Sequence, residues 1–148
     1  MKVVIQKCLN ASVLIENKEK RSIEKGFVIL LGIRVDDDEN DIDYIIKKVK
    51  NLRIFEDEND KLNLSLNDVS GSILLISQFT LYADTKKGNR PSFVDAMKGE
   101  EAEKLYNSFI SELKETNIPF KTGEFGTDMK VSLVNDGPTT IIIDSKEK

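Results

Sequence analysis

The spacing of apolar residues changes along this chain, and each change predicts an element. Val3-Val4-Ile5 and Ala11 to Ile15 are short apolar runs that predict two strands joined through Leu9-Asn10. Lys18-Glu19-Lys20-Arg21 reads as a charged turn, and Phe27 to Val35, interrupted by Gly32 and Arg34, predicts a buried strand. The period then becomes helical, with Ile42, Ile45, Ile46, Val49 and Leu52 on one face. Asp36-Asp37-Asp38 just ahead supply the helix start, with carboxylates near the positive end of its dipole. A cap explains this acidic run more simply than a metal site, since no second cluster of ligands accompanies it.

Glu56-Asp57-Glu58-Asn59-Asp60 predicts the tip of a hairpin between Arg53-Ile54-Phe55 and Leu62-Asn63-Leu64. Ile73 to Ile76 is a continuous apolar strand leading straight into Ser77-Gln78-Phe79-Thr80. Extending that strand puts Ser77 and Phe79 on one side, Gln78 and Thr80 on the other. After a Lys86–Pro91 loop, Ser92 is expected to cap a short helical turn through Met97. Ala102, Leu105, Tyr106, Phe109, Ile110 and Leu113 then predict a longer amphipathic helix. Phe120 to Phe125, Lys130 to Val134 and Thr140 to Ile143 read as three strands, and Ser145 to Lys148 as a frayed tail. This order predicts an α+β fold, a mixed or antiparallel sheet covered by two main helices, in one domain spanning 1–148.

Composition narrows the function classes. Apolar residues make up 39% and charged residues 32% of 148 positions, as in soluble globular domains. No apolar run approaches the ~20 residues that cross a bilayer, and Gln6-Lys7 comes too early for a signal peptide. A single cysteine, Cys8, fits a reducing cytoplasm and reads as a small strand residue. The net charge of −4 argues against gripping long nucleic acid but not against recognising a short end. Lys86, Lys87 and Arg90 are a local basic group that reads more simply as a solvated turn. There is no histidine, which removes Ser-His-Asp and Cys-His catalysis, the usual zinc sites and the commonest general base. A catalyst of this composition works by positioning, by backbone dipoles or through a group on its substrate. No metal and no cofactor are expected.

Two segments concentrate chemistry. Ser77-Gln78-Phe79-Thr80-Leu81 ends an apolar strand, where backbone N–H groups suit an oxyanion-stabilising wall; a strand simply leaving the core has the same composition. The Thr80 hydroxyl is a weak nucleophile without a base, so its expected role is positioning and hydrogen bonding. In Asn135-Asp136-Gly137-Pro138-Thr139, Gly137 lets the backbone approach a ligand closely, and a Gly-Pro bond adopts cis at only ~0.5–1 kcal/mol. The same run also describes an ordinary hairpin turn.

Together these segments resemble the two signature motifs of the D-aminoacyl-tRNA deacylase family. The resemblance extends through Val4-Ile5-Gln6, Ala11-Ser12-Val13, Leu30-Leu31-Gly32, Arg53-Ile54-Phe55, Gly88-Asn89-Arg90-Pro91-Ser92-Phe93 and Asp128-Met129, all in family order. It implies a curved, barrel-like sheet in a cytoplasmic homodimer that acts on aminoacyl-tRNA at its 3′ end. It also implies Ser77, Gln78 and Thr80 at the catalytic centre, with Phe79, Phe125 and Met129 around the terminal adenosine. Gly137 and Pro138, with Asn135 and Lys7 beside them, would reject L side chains through a cis Gly-Pro step offered to the partner's pocket. Such a filter admits any D-residue and also glycine, including glycine mischarged on tRNA-Ala. The neighbouring ribose hydroxyl would assist attack, so no imidazole is needed.

Two positions depart from the family pattern. Lys7 stands where an arginine is usual and lacks its planar five-donor fork, and Thr139 stands where valine is usual. Two other functions fit the same residues: a non-catalytic module binding the tRNA acceptor end, and a small-ester hydrolase that depends on Thr80.

Overall fold

The computed structural model describes residues Met1–Lys148. Its centre is a long hairpin. Strand β1 (Lys2–Ile15) turns through Glu16 and Asn17, both at positive φ, and returns as β2 (Glu19–Ile23) and β3 (Gly26–Gly32). The returning strands keep one register along β1, from Ile15↔Glu19 through Ala11↔Ile23 and Cys8↔Gly26 to Lys2↔Gly32. Strand β6 (Ser72–Ser77) pairs parallel to β3, and β7 (Phe120–Thr122) parallel to β6. The last strand, β8 (Met129–Asp144), pairs antiparallel to the other edge of β1. A separate two-stranded sheet joins β4 (Phe55–Glu56) to β5 (Leu62–Leu64).

The six-stranded sheet curls until its ends nearly meet. Arg21 on β2 donates to the carbonyls of Thr122 (2.8 Å) and Gly123 (3.3 Å) at the end of β7. One face carries helices α1 (Glu39–Asn51) and α2 (Gly99–Glu115) over a core that includes Val3, Ile5, Phe27, Ile29, Ile73 and Leu75. The other face packs Cys8, Ala11, Val13, Ile15, Val28, Leu74 and Ile76. The mixed sheet with two helices therefore stands as the α+β pattern predicts, and its barrel-like curl as the family resemblance implies. Neither helix is long and apolar enough to cross a membrane.

Several expected breaks are absent. The two N-terminal runs are one strand, because Leu9-Asn10 is a bulge and not a turn. Register with β8 shifts on both sides of Cys8, so odd residues face the helices before the bulge and the opposite core after it. Likewise, Lys130 to Val134 and Thr140 to Ile143 belong to a single β8 that runs through Asn135–Thr139. The charged turn lies at Glu16–Lys18, and Glu19 to Arg21 are already strand. No helical turn follows Ser92; it pairs instead with Asp84 across the Thr85–Pro91 loop.

The acidic run before α1 has two duties. Asp38 caps the helix in a capping box with Asp41, as predicted. Asp37 is instead buried, and its carboxylate takes the Met1 ammonium and the Arg34 N–H. Ser145 accepts from the same ammonium at 2.7 Å, and Lys146 reaches Asp37 (3.4 Å) and Asp41 (2.9 Å). The C-terminal residues expected to fray are thus tied to the core. Breaking a buried pair from one side leaves an uncompensated charge, so Asp37→Asn should cost about 3–5 kcal/mol in urea denaturation.

Burial opposes ionisation of Asp41, but hydrogen bonds from Ser145, the Asp38 backbone and Lys146 outweigh it and hold its carboxyl below the usual range. A depressed carboxylate contributes stability above its unfolded pKa of about 3.9, and that contribution fades as pH falls below it. Acid unfolding should therefore steepen below about pH 4, and Asp41→Asn should flatten that limb.

Candidate active site

Because β3, β6 and β7 are parallel, their carboxyl ends lie along one edge of the sheet, where ligands commonly bind. A cleft of about 680 Å³ opens there. Ile76, Ser77, Gln78 and Phe79 form one wall, Phe93 with Met97 to Gly99 a second, and Phe125 to Met129 a third. Of the residues expected around a nucleoside, Phe79, Phe125 and Met129 do meet here. Gly123 beside them leaves room for the Met129 sulfur, which a Cβ there would displace.

The strand ends at Ser77, three residues sooner than an alternation of faces through Thr80 assumes. Gln78 donates its N–H to the Leu31 carbonyl (2.7 Å), and the chain then coils into a 3₁₀ turn, Phe79–Tyr82. The turn swings Phe79 outward, 53% exposed and edge-on to Phe93 at 5.1 Å. An exposed ring over an apolar cleft is a stacking platform for a base. Thr80 is exposed and lies outside the cleft's lining; its hydroxyl accepts a hydrogen bond from the Gln78 amide. No carboxylate or lysine hydrogen-bonds Thr80, so nothing activates it as a nucleophile.

Other potential nucleophiles are muted. Burial pushes the Cys8 thiol up to about 11, against hydrogen bonds from Gly26 and Val28. Burial likewise pushes Tyr106, which packs behind Phe125 at 5.5 Å, up to about 12. No group of three or more His, Cys, Asp or Glu side chains is placed to hold a metal ion.

The second motif forms an outward loop within β8. Gln6 pairs with Thr140 and Cys8 with Asn135, so a single β1 residue, Lys7, opposes four on β8. Those four, Asp136 to Thr139, bulge from the sheet with Gly137 and Pro138 exposed and the bond between them cis. Gly137 sits at φ +126°, and a Cβ there would lie 2.5 Å from the Thr139 hydroxyl. Asn135 closes the bulge: its carbonyl accepts the Thr139 N–H at 2.7 Å, and its amide donates to the Thr139 carbonyl and Thr140 hydroxyl. Those bonds give Asn135 a structural task.

Lys7 lies beneath this bulge with its side chain 0% exposed. Its ammonium donates to Glu56 at 2.6 Å and stands 4.0 Å from Asp136. The hydrogen bond from Lys7 in turn holds the Glu56 carboxyl below its ordinary range.

Within one chain the motifs stay apart. No residue of 135–140 lines the cleft, whose β8 contribution is Met129 at the far end of the strand. Sequence reasoning missed Met97, Lys98 and Glu56, which carry no motif of their own. Phe93 had a signal, as the last residue of the Gly88–Phe93 loop.

A protein 60% identical over all 148 residues of both chains, from Finegoldia magna, is called D-aminoacyl-tRNA deacylase. So is one from Clostridium novyi, 54% identical over 100% of this chain and 99% of its own. A solved protein described as c-Myc DNA Unwinding Element Binding Protein superposes with a TM-score of 0.90 at 41% identity, covering 97% of this chain and 98% of its own. A probable eukaryotic D-amino acid tRNA deacylase shares the fold, with a TM-score of 0.83 at 15% identity over 96% and 97% of the two chains. The model of the D-Tyr-tRNA(Tyr) deacylase family matches residues 4–144, and the chain belongs to that family.

Proposed function

We propose that this chain, a D-aminoacyl-tRNA deacylase by family, selects its substrate by handedness with main-chain atoms supplied by a second copy. The observation that carries this reading is the separation of two half-sites. One is an apolar cleft with an exposed aromatic ring and no backbone filter, the other a braced, exposed backbone loop outside that cleft. A homodimer that brings Gly137-Pro138 of one copy to the cleft of the other completes both. The terminal adenosine stacks on Phe79, with Phe125 and Met129 behind it. The volume of the cleft lies within the ~300–1,000 Å³ range of small-ligand sites.

The chemistry needs little from side chains. A water oxygen bonds to the ester carbonyl carbon, the backbone N–H groups of Phe79 and Thr80 at the start of the 3₁₀ turn steady the oxyanion, and the carbon–ribose oxygen bond breaks. The neighbouring ribose hydroxyl assists attack, and the departing ribose oxygen takes up the proton that the attacking water gives up. Gln78 orients the Thr80 hydroxyl, which positions the substrate without bonding to it covalently. An L side chain meets the Gly137-Pro138 backbone and is turned away, whereas a D side chain points outward. Glycine, having no side chain, passes, so glycyl-tRNA mischarged on tRNA-Ala is a second substrate. The setting is the cytoplasm, with no metal or cofactor.

Incubation of the purified protein with D-tyrosyl- and L-tyrosyl-tRNA should release D-tyrosine at least about a hundredfold faster, as expected where a built clash adds to binding. Binding without release would leave an acceptor-end module, and equal turnover of esters lacking the ribose hydroxyl would favour a Thr80-dependent esterase.

Gly137→Ala places a Cβ where the backbone favours glycine, at a cost of about 1–3 kcal/mol. Urea denaturation should register that loss, and the same variant should cleave L-tyrosyl-tRNA measurably.

A further inference from the structure

We propose that Glu56 is a positioning residue for chiral discrimination, acting through Lys7 on the Gly137-Pro138 bulge. This rests on the reading that the bulge filters the aminoacyl group.

An ammonium buried as completely as that of Lys7 requires a counter-charge. Its only hydrogen bond is to Glu56, at 2.6 Å; Asp136, at 4.0 Å, is a charge contact beyond hydrogen-bond range. Glu56 is not part of the main sheet. It reaches Lys7 because Phe55, its neighbour on β4, stacks on Phe27 with centroids 5.2 Å apart and planes 9° apart. Phe27 is the residue paired with Lys7 across β1 and β3. The short β4–β5 hairpin is therefore anchored beside Lys7 and holds one carboxylate against the ammonium under the bulge.

With the Glu56 charge removed, Asp136 is the nearest remaining carboxylate. Bringing it from 4.0 Å to hydrogen-bond range would draw the residue preceding Gly137 inward by about 1 Å. Rejection by steric clash is sensitive to such a shift, since a displacement of about 1 Å at a reacting site is worth up to about a hundredfold in rate. Glu56 thus lets Lys7 support the loop without pulling on it.

The test is kcat/KM for D-tyrosyl- and L-tyrosyl-tRNA in the wild type, Glu56→Gln and Glu56→Asp, with melting temperatures for all three. In Glu56→Gln the D-to-L ratio should fall at least about tenfold, chiefly through new cleavage of the L substrate. Glu56→Asp, which keeps the charge on a shorter stem, should recover part of the ratio. General loss of structure would lower both activities together and leave the ratio intact. A selective wild type with a folded and equally selective Glu56→Gln overturns the proposal. Should Glu56→Gln fail to fold, an unaltered ratio in a folded Glu56→Ala, which also removes the charge, overturns it equally. A wild type with no D preference overturns the functional reading, and this proposal with it.

Discussion

The architecture turns on a mismatch of length between two neighbouring strands. Where β1 has Lys7 alone, β8 has four residues, and the surplus must leave the sheet. Extra residues in an antiparallel pair bend the strand and free its backbone from pairing. Here that freed backbone contains a glycine and a proline, is closed by Asn135 and has a buried ammonium at its base. A loop held at both ends and from below suits the proposed steric filter better than a mobile turn would.

The cleft follows from strand direction. Parallel pairing of β3, β6 and β7 gathers their carboxyl ends, and the immediate 3₁₀ turn after Ser77 lifts Phe79 off the sheet into the cleft. Nothing near the cleft resembles an activated nucleophile: there is no imidazole, Thr80 has only Gln78, and burial suppresses Cys8 and Tyr106. An aminoacyl ester is already reactive, so orientation and oxyanion donors suit it better than a strong base.

Much of this was legible in the residues. The helical spacing of Ile42 to Val49 and of Ala102 to Leu113 foretold both helices, and Asp38 foretold the cap. Strand continuity was not legible, because Asn10 and Asn135 to Pro138 are turn-forming residues whether the chain reverses or bulges. Bulge and turn differ only in what the neighbouring strand does, and that is a property of pairing. For the same reason the end of β6 at Ser77 was missed. The cleft residues Phe79, Phe125 and Met129 were identified through motif resemblance, while Glu56 was hidden because its meaning depends on Phe55 stacking against Phe27. Asp37 looked like one more capping carboxylate, yet it is buried against the Met1 ammonium, a contact between residues 36 positions apart.

The central claim is that the loop of one copy serves the cleft of another. Subunit complementation tests it most directly. A cleft-blocked chain (Ser77→Trp) and a loop-distorted chain (Gly137→Ala) are co-expressed, and D-selective deacylation is compared with that of each variant alone. If the loop acts across the subunit boundary, mixed dimers hold one cleft and one loop that are both intact, and selectivity returns to a fraction of the molecules. Activity no more selective than the two variants measured separately would contradict the account.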